Sequence, residues 1–160
     1  MKINMNDFST AIQNGLEASK KADANFEEIS SVFRSVNEAL DKLTNSKARM
    51  AIKVRKPTAH SYMTSILGGS TLKEKEVQSL AWKDCFIEIE SLPSEKTIKR
   101  IAKIETTEDG YPVTISFDDF SDSCLDKASL ESRVADLLSS SNVGNAIKKA
   151  MEYSDENDES

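Results

Sequence analysis

The chain is poor in the residues from which most catalytic and metal centres are built. Its 160 residues include one histidine, His60, and two cysteines, Cys85 and Cys124. A single histidine excludes every constellation that needs two, HExxH and His-rich metal centres among them, and His60 reads as an ordinary loop residue rather than a general base. The two cysteines form no CxxC pair, so neither a thiol redox motif nor a zinc site follows from them, and they read as free, partly buried thiols. Glycine is scarce too. The five glycines, at 15, 68, 69, 110 and 144, make no GxxxxGK[ST] or GxGxxG cradle and no GxSxG elbow, which excludes nucleotide binding and serine hydrolysis by those devices. No metal and no cofactor is expected.

Long apolar runs are missing as well. Nothing approaches the roughly 18 to 20 consecutive apolar residues of a membrane span, and the stretch from Met1 to Asp7 is too polar for the apolar region of a signal peptide. The expectation is a cytoplasmic protein with no membrane contact. What the chain does have is 38% hydrophobic and 30% charged residues, enough for one core and one domain with an appendage. The net charge of −6 is uneven: residues 1–46 carry 5 basic and 7 acidic side chains, residues 47–120 carry 12 and 11, and residues 121–160 carry 4 and 9. Acidity is therefore a C-terminal property. Residues 154–160, acidic and without an apolar side chain after Tyr153, read as a disordered tail.

The clearest pattern is a hydrophobic repeat of alternating spacing three and four: Phe26, Ile29, Phe33, Val36, Leu40 and Leu43. That is a heptad seam. The same register runs back through Ala22, Ser19, Gly15, Ile12, Phe8 and Met5, weakened at Ser19 and Gly15. No proline and one glycine lie between Asn6 and Leu43, so residues 1–46 are predicted to be one long helix, capped by Asn6 or Asp7 and stopping at Asn45–Ser46. A helix over 6–44 would be on the order of 58 Å long at 1.5 Å per residue, so part of it must project. Its apolar stripe must meet a second chain or the protein's own sheet. Self-association through Phe26 to Leu43 is the leading expectation, and folding back on the body the next.

From Lys47 the period changes to alternation. Met50, Ile52 and Val54 share one face of a first strand, ended by Pro57. Tyr62 to Leu67 reads as strand, and Thr71 with Glu74 has capping-box spacing for a short helix over 71–81. Cys85, Ile87 and Ile89 alternate with Phe86, Glu88 and Glu90, a strand with one aqueous face. Ile101 to Thr106 and Tyr111 to Phe117 flank Asp109–Gly110, a strong hairpin signal. Helical spacing then returns at Leu125, Leu130, Val134, Leu137 and Leu138, and again from Val143 to Met151. Residues 47–153 are thus predicted to form an α+β body: an antiparallel sheet of four or five strands with the C-terminal helices on one face.

Candidate chemistry within this body is thin. Asp118, Asp119 and Asp122, or Glu88, Glu90 and Lys103, are the carboxylate groupings that a metal-dependent hydrolase would need, but turn-capping and strand-surface roles explain them better. Lys47, Arg49, Lys53, Arg55 and Lys56 form one basic cluster, and Lys96, Lys99, Arg100 and Lys103 a second. They offer a surface for single-stranded nucleic acid, with Tyr62 or Trp82 to stack on a base. Eleven acids in the same segment favour cross-strand ion pairs instead, notably with Glu88 and Glu90. The reading that emerges is a non-enzymatic protein-binding or assembly protein, a homo-oligomer through its first helix. Its body would bind another protein, a basic one by charge, as an acidic inhibitor, immunity or accessory protein would. Nucleic-acid binding is the alternative.

Overall fold

The computed structural model describes residues 5–54 and 82–157, with side chains from Asp7 onward. The expected strand at 62–67, the helix at 71–81, His60, Arg55 and Lys56 lie outside the described residues. Helix α1 spans Met5–Thr44. Its end is set by Asn45 and Ser46, both in the left-handed region (φ 53° and 62°), and the Ser46 N–H bonds back to Asp41 O at 3.0 Å.

Five strands follow: β1 (Ala48–Val54), β2 (Cys85–Ser91), β3 (Lys96–Thr107), β4 (Gly110–Phe117) and β5 (Phe120–Cys124). All pairs are antiparallel and the spatial order is the chain order, an uninterrupted meander. Two helices complete the chain, α2 (Lys127–Leu138) and α3 (Ser141–Asn157). The α+β arrangement read from the sequence is the one observed.

Two elements differ from expectation. Between Phe117 and the helical spacing that returns at Leu125 lies a further strand: Asp118 and Asp119 both adopt positive φ (52° and 63°) and form the two-residue turn into β5. Turns of that geometry match the twist of antiparallel strands, and Asp tolerates the conformation better than most residues. The segment Phe120–Cys124 carries Ser-Asp-Ser where a hydrophobic alternation would have signalled a strand, so its pairing with β4 was not legible. The helix then starts later, with Asp126 as N-cap: its carboxylate accepts the Ser129 N–H at 2.8 Å while Ser129 Oγ accepts the Asp126 N–H at 3.2 Å, a reciprocal cap.

The second correction is at the C-terminus. Helix α3 continues through Ser154–Asn157, four residues into the segment expected to be disordered. Ser154 is buried and its hydroxyl donates to Leu92 O at 2.6 Å, while Asp155 pairs with Lys47 at 2.5 Å. One turn further back Ser91 Oγ donates to Ala150 O at 2.6 Å. Two buried hydroxyls thus tie α3 to the β2–β3 turn, contacts that no hydropathy pattern reveals.

The helices cover one face of the sheet, and a single apolar cluster fills the space between. Ile87, Ile89, Ile104, Val113 and Ile115 point into it from the strands, Ile29, Phe33 and Leu40 from α1, Leu130, Val134 and Leu137 from α2, and Val143, Ala146 and Ala150 from α3. Trp82 packs near Phe26 and Phe33, with ring centroids 6.2 and 6.4 Å away, and its backbone exchanges bonds with Thr106.

Candidate interaction surfaces

The first surface is the N-terminal half of α1. Every side chain from Asp7 to Lys21 is exposed, and the body closes on the helix at Asn25, whose amide donates to Asp109 O at 2.9 Å, and at Glu28, which accepts the Tyr111 hydroxyl at 2.8 Å. Burial, together with the Glu28 carboxylate, pushes the Tyr111 phenol well above its ordinary range. Beyond this clasp Phe8, Ile12 and Leu16 stand 55%, 64% and 60% exposed. At spacing four they lie along one side of the helix. These are large apolar side chains on an arm on the order of 25 Å long, where a helix gains little from solvent contact.

The expected seam divides in two. Phe26, Ile29, Phe33 and Leu40 are buried in the core of their own chain, Val36 is half-buried beside them, and Leu43 is 81% exposed at the helix end. Four of the six residues expected to meet a second chain, Phe26, Ile29, Phe33 and Leu40, are thus buried within their own chain. The physical reason is continuity: one heptad register serves both halves of α1, and the sheet covers the half it can reach. A groove of about 410 Å³ between α1 and α2, lined by Val32, Val36, Ala39, Val134 and Leu138 among others, flanks the covered half.

The second surface is the helix-free face of the sheet. Glu88 and Glu90 lie there, but they are not solvated as the alternation suggested; Glu90 is 1% exposed and Glu88 is buried. Arg49 Nε donates to Glu90 at 2.7 Å and Lys53 Nζ lies 2.5 Å from its other oxygen. Thr97 and Arg100 bond to Glu88 at 3.1 and 3.3 Å. Register shifts in the β2–β3 ladder set Arg100 opposite Glu88 and Thr97 opposite Glu90, and the Arg100 guanidinium stacks 3.8 Å above the Phe86 ring. Burial by itself would raise the Glu90 carboxyl, but the hydrogen bonds from Lys53 and Arg49 outweigh it and hold the group below the ordinary carboxylate range. The same bonds raise Lys53 and Arg49.

These pairs account for most of the basic clusters. Lys103 lies 2.8 Å from Glu105, Lys47 is taken by Asp155, and Lys99 donates to Asn142. Trp82 faces α1 rather than this surface. The cations expected to line a phosphate track are brought together, but around carboxylates. Neither carboxylate grouping considered for metal chemistry is assembled: Asp118 and Asp119 shape a turn, Glu88 and Glu90 are ion-paired, and among the described residues no three His, Cys, Asp or Glu side chains are grouped to hold an ion. Cys85 and Cys124 are unlinked and buried, and burial pushes both thiols up, away from the reactive thiolate. Among the described residues no helix is long and apolar enough to cross a membrane.

Comparison of the chain with protein-family models, with curated proteins and with solved structures finds no match. The functional reading therefore rests on these surfaces.

Sequence reasoning missed three features that position them. Leu16 falls outside the strict heptad frame yet completes the exposed stripe. Asn37 clasps the β1 backbone, donating to Met50 O at 2.9 Å and accepting the Met50 N–H at 2.8 Å; a lone Asn on a helix gives no such signal. Arg133 reaches under the β4–β5 hairpin, stacking 4.0 Å from the Phe117 ring and pairing with Asp122 at 3.4 Å.

Proposed function

We propose that this chain is a non-enzymatic assembly protein that self-associates through the projecting half of α1 and presents its acidic α+β body to another protein. The observation that carries the reading is the stripe of Phe8, Ile12 and Leu16, exposed on a helix whose other half continues the frame of Phe8 and Ile12 into a packed core. Covering three such side chains contributes roughly 1.5–3 kcal/mol each on full burial, a driving force the isolated chain leaves unused. The seam for assembly thus moves from Phe26–Leu43 to the arm. The body's support is electrostatic: Asp122, Asp126, Glu131, Asp136, Glu152, Asp155 and Glu156 are exposed along β5, α2 and α3, a field that speeds encounter with a basic partner. Single-stranded nucleic acid has less support, since among the described residues Lys47, Arg49, Lys53, Arg100 and Lys103 are engaged by Glu88, Glu90, Glu105 and Asp155.

The test is molar mass by light scattering over a concentration series, for the wild type and for Ile12→Asp. A concentration-dependent rise in the wild type, abolished by Ile12→Asp without loss of helicity, is the expected result. A monomeric wild type throughout removes the assembly reading.

A further inference from the structure

We infer that the second copy lies antiparallel along the arm, with Ile12 of each chain opposite Gly15 of the other; the inference rests on the self-association proposed above. The arm's apolar face leads by threes and fours from Phe8, Ile12, Gly15, Ser19 and Ala22 into Phe26 and Ile29. From Phe26 onward that face is filled by the chain's own core. A parallel partner in register would carry its residues beyond Phe26 into the space that the sheet occupies. An antiparallel partner overlaps arm with arm, and its body leaves at the opposite end.

The β3–β4 turn limits how far the arms slide past each other. Gly110 sits so close to α1 that an added Cβ would come within 2.9 Å of the Asn25 Cβ, so the turn closes the helix face at that level. Antiparallel heptad packing sets a positions against d positions, in registers seven residues apart. Counted from Met5, where the described helix begins, the longest overlap that stops short of the turn brings Met5 level with Ala22; the next inward would bring Met5 level with Ile29, past it.

In that register large faces small. Phe8 lies opposite Ser19 and Ile12 opposite Gly15, as close packing requires. The parallel alternative sets Phe8 against Phe8 and Gly15 against Gly15. Gly15 itself supports the arrangement: glycine inside a helix costs about 1 kcal/mol relative to alanine, and a Cβ there would meet nothing within 4 Å of its own chain. The intruding Ile12 of a second copy supplies the reason for a missing side chain. Charge agrees. Antiparallel arms set the two helix dipoles against one another, which parallel arms do not. An overlap of about 25 Å, covered over roughly a third of its circumference, buries on the order of 400 Å² per chain, about 800 Å² in all. That total, below the roughly 1,200–2,000 Å² of stable specific interfaces, describes a weak, concentration-dependent dimer.

The orientation is tested by cysteine pairing. Phe8→Cys and Ser19→Cys chains are oxidised separately and as a mixture; the native thiols are buried. Antiparallel arms bring the new sulfurs together in the mixture, while identical positions lie roughly 16 Å apart along the axis, beyond the ~7 Å Cα separation that a disulfide spans. Linked dimer in the mixture alone is expected. Linked dimer from either variant by itself overturns the orientation and leaves self-association standing; a dimeric wild type whose mixture does not link overturns the register; a wild type that light scattering finds monomeric removes both. As a second measure, Gly15→Leu, which fits open space in the single chain, is expected to weaken the dimer at least tenfold with helicity unchanged. An unchanged dissociation constant overturns the Ile12–Gly15 contact.

Discussion

Glu90 concentrates the energetics of the helix-free sheet face in one side chain. It is a buried carboxylate held by two cations that are themselves partly in water, Arg49 and Lys53 at 38% and 42% exposure. Such a pair contributes little beyond cancelling its own desolvation, yet removing the charge strands its donors. Glu90→Gln is therefore expected to lower unfolding stability by about 1–3 kcal/mol, measured by urea denaturation. The loss stays below that of a fully enclosed pair because both cations can rehydrate. The alternation of Phe86, Glu88 and Glu90 marked them as one face of a strand, and the basic residues nearby marked their partners. Burial was not legible, because it depends on which long side chains from β1 and β3 lie across the carboxylates, and that follows from a ladder with two register shifts.

Among the elements, α1 carries the most, since it is both core helix and projecting arm. Its hold on the sheet edge is polar as well as apolar: Asn37 satisfies the N–H and C=O of Met50 together. An edge strand whose backbone is capped in this way is blunted against pairing with other chains. Asn37→Ala leaves both groups without their partner and is expected to cost about 1–3 kcal/mol, with faster hydrogen exchange at the Met50 amide as the specific readout. A substitution that lowers stability without altering that amide would show the clasp to be incidental. The helix itself was legible from spacing and from the absence of proline. Which half of it faces inward was not, because the register is the same throughout and only the reach of the sheet separates Phe26 from Ile12.

For the molecule as a whole, the ionisable clusters set a pH window. Glu90 is depressed in the folded state, so its contribution is complete above the ordinary carboxylate value of 4.5 and is lost as pH falls through the lower folded value. Lys53 and Tyr111 are raised, so theirs is complete below their ordinary values of 10.5 and 10.0 and is lost as pH rises through the higher folded ones. The buried thiols Cys85 and Cys124 are raised from 9.0 as well, so the alkaline loss begins with them; stability is thus expected to hold level between about pH 5 and pH 8 and to fall on both sides. Urea midpoints against pH check this, and Glu90→Gln is expected to make the acid limb shallower; an acid limb of unchanged slope would assign it to other carboxylates.

The amino-acid sequence by itself determined the elements whose signal is local: the long helix from its heptads, the β3–β4 hairpin from Asp109–Gly110, the strands with clean alternation, and so the α+β class. The tertiary structure decided what depends on distant partners. It placed Phe26, Ile29, Phe33 and Leu40 against the sheet and left Phe8, Ile12 and Leu16 outside, paired a serine-rich strand onto β4, extended α3 through two buried hydroxyl contacts, and gathered Arg49, Lys53 and Arg100 around Glu88 and Glu90. Periodicity reports which side of an element is apolar. What lies against that side is settled by topology, where strands and helices far apart in sequence compete for the same surface.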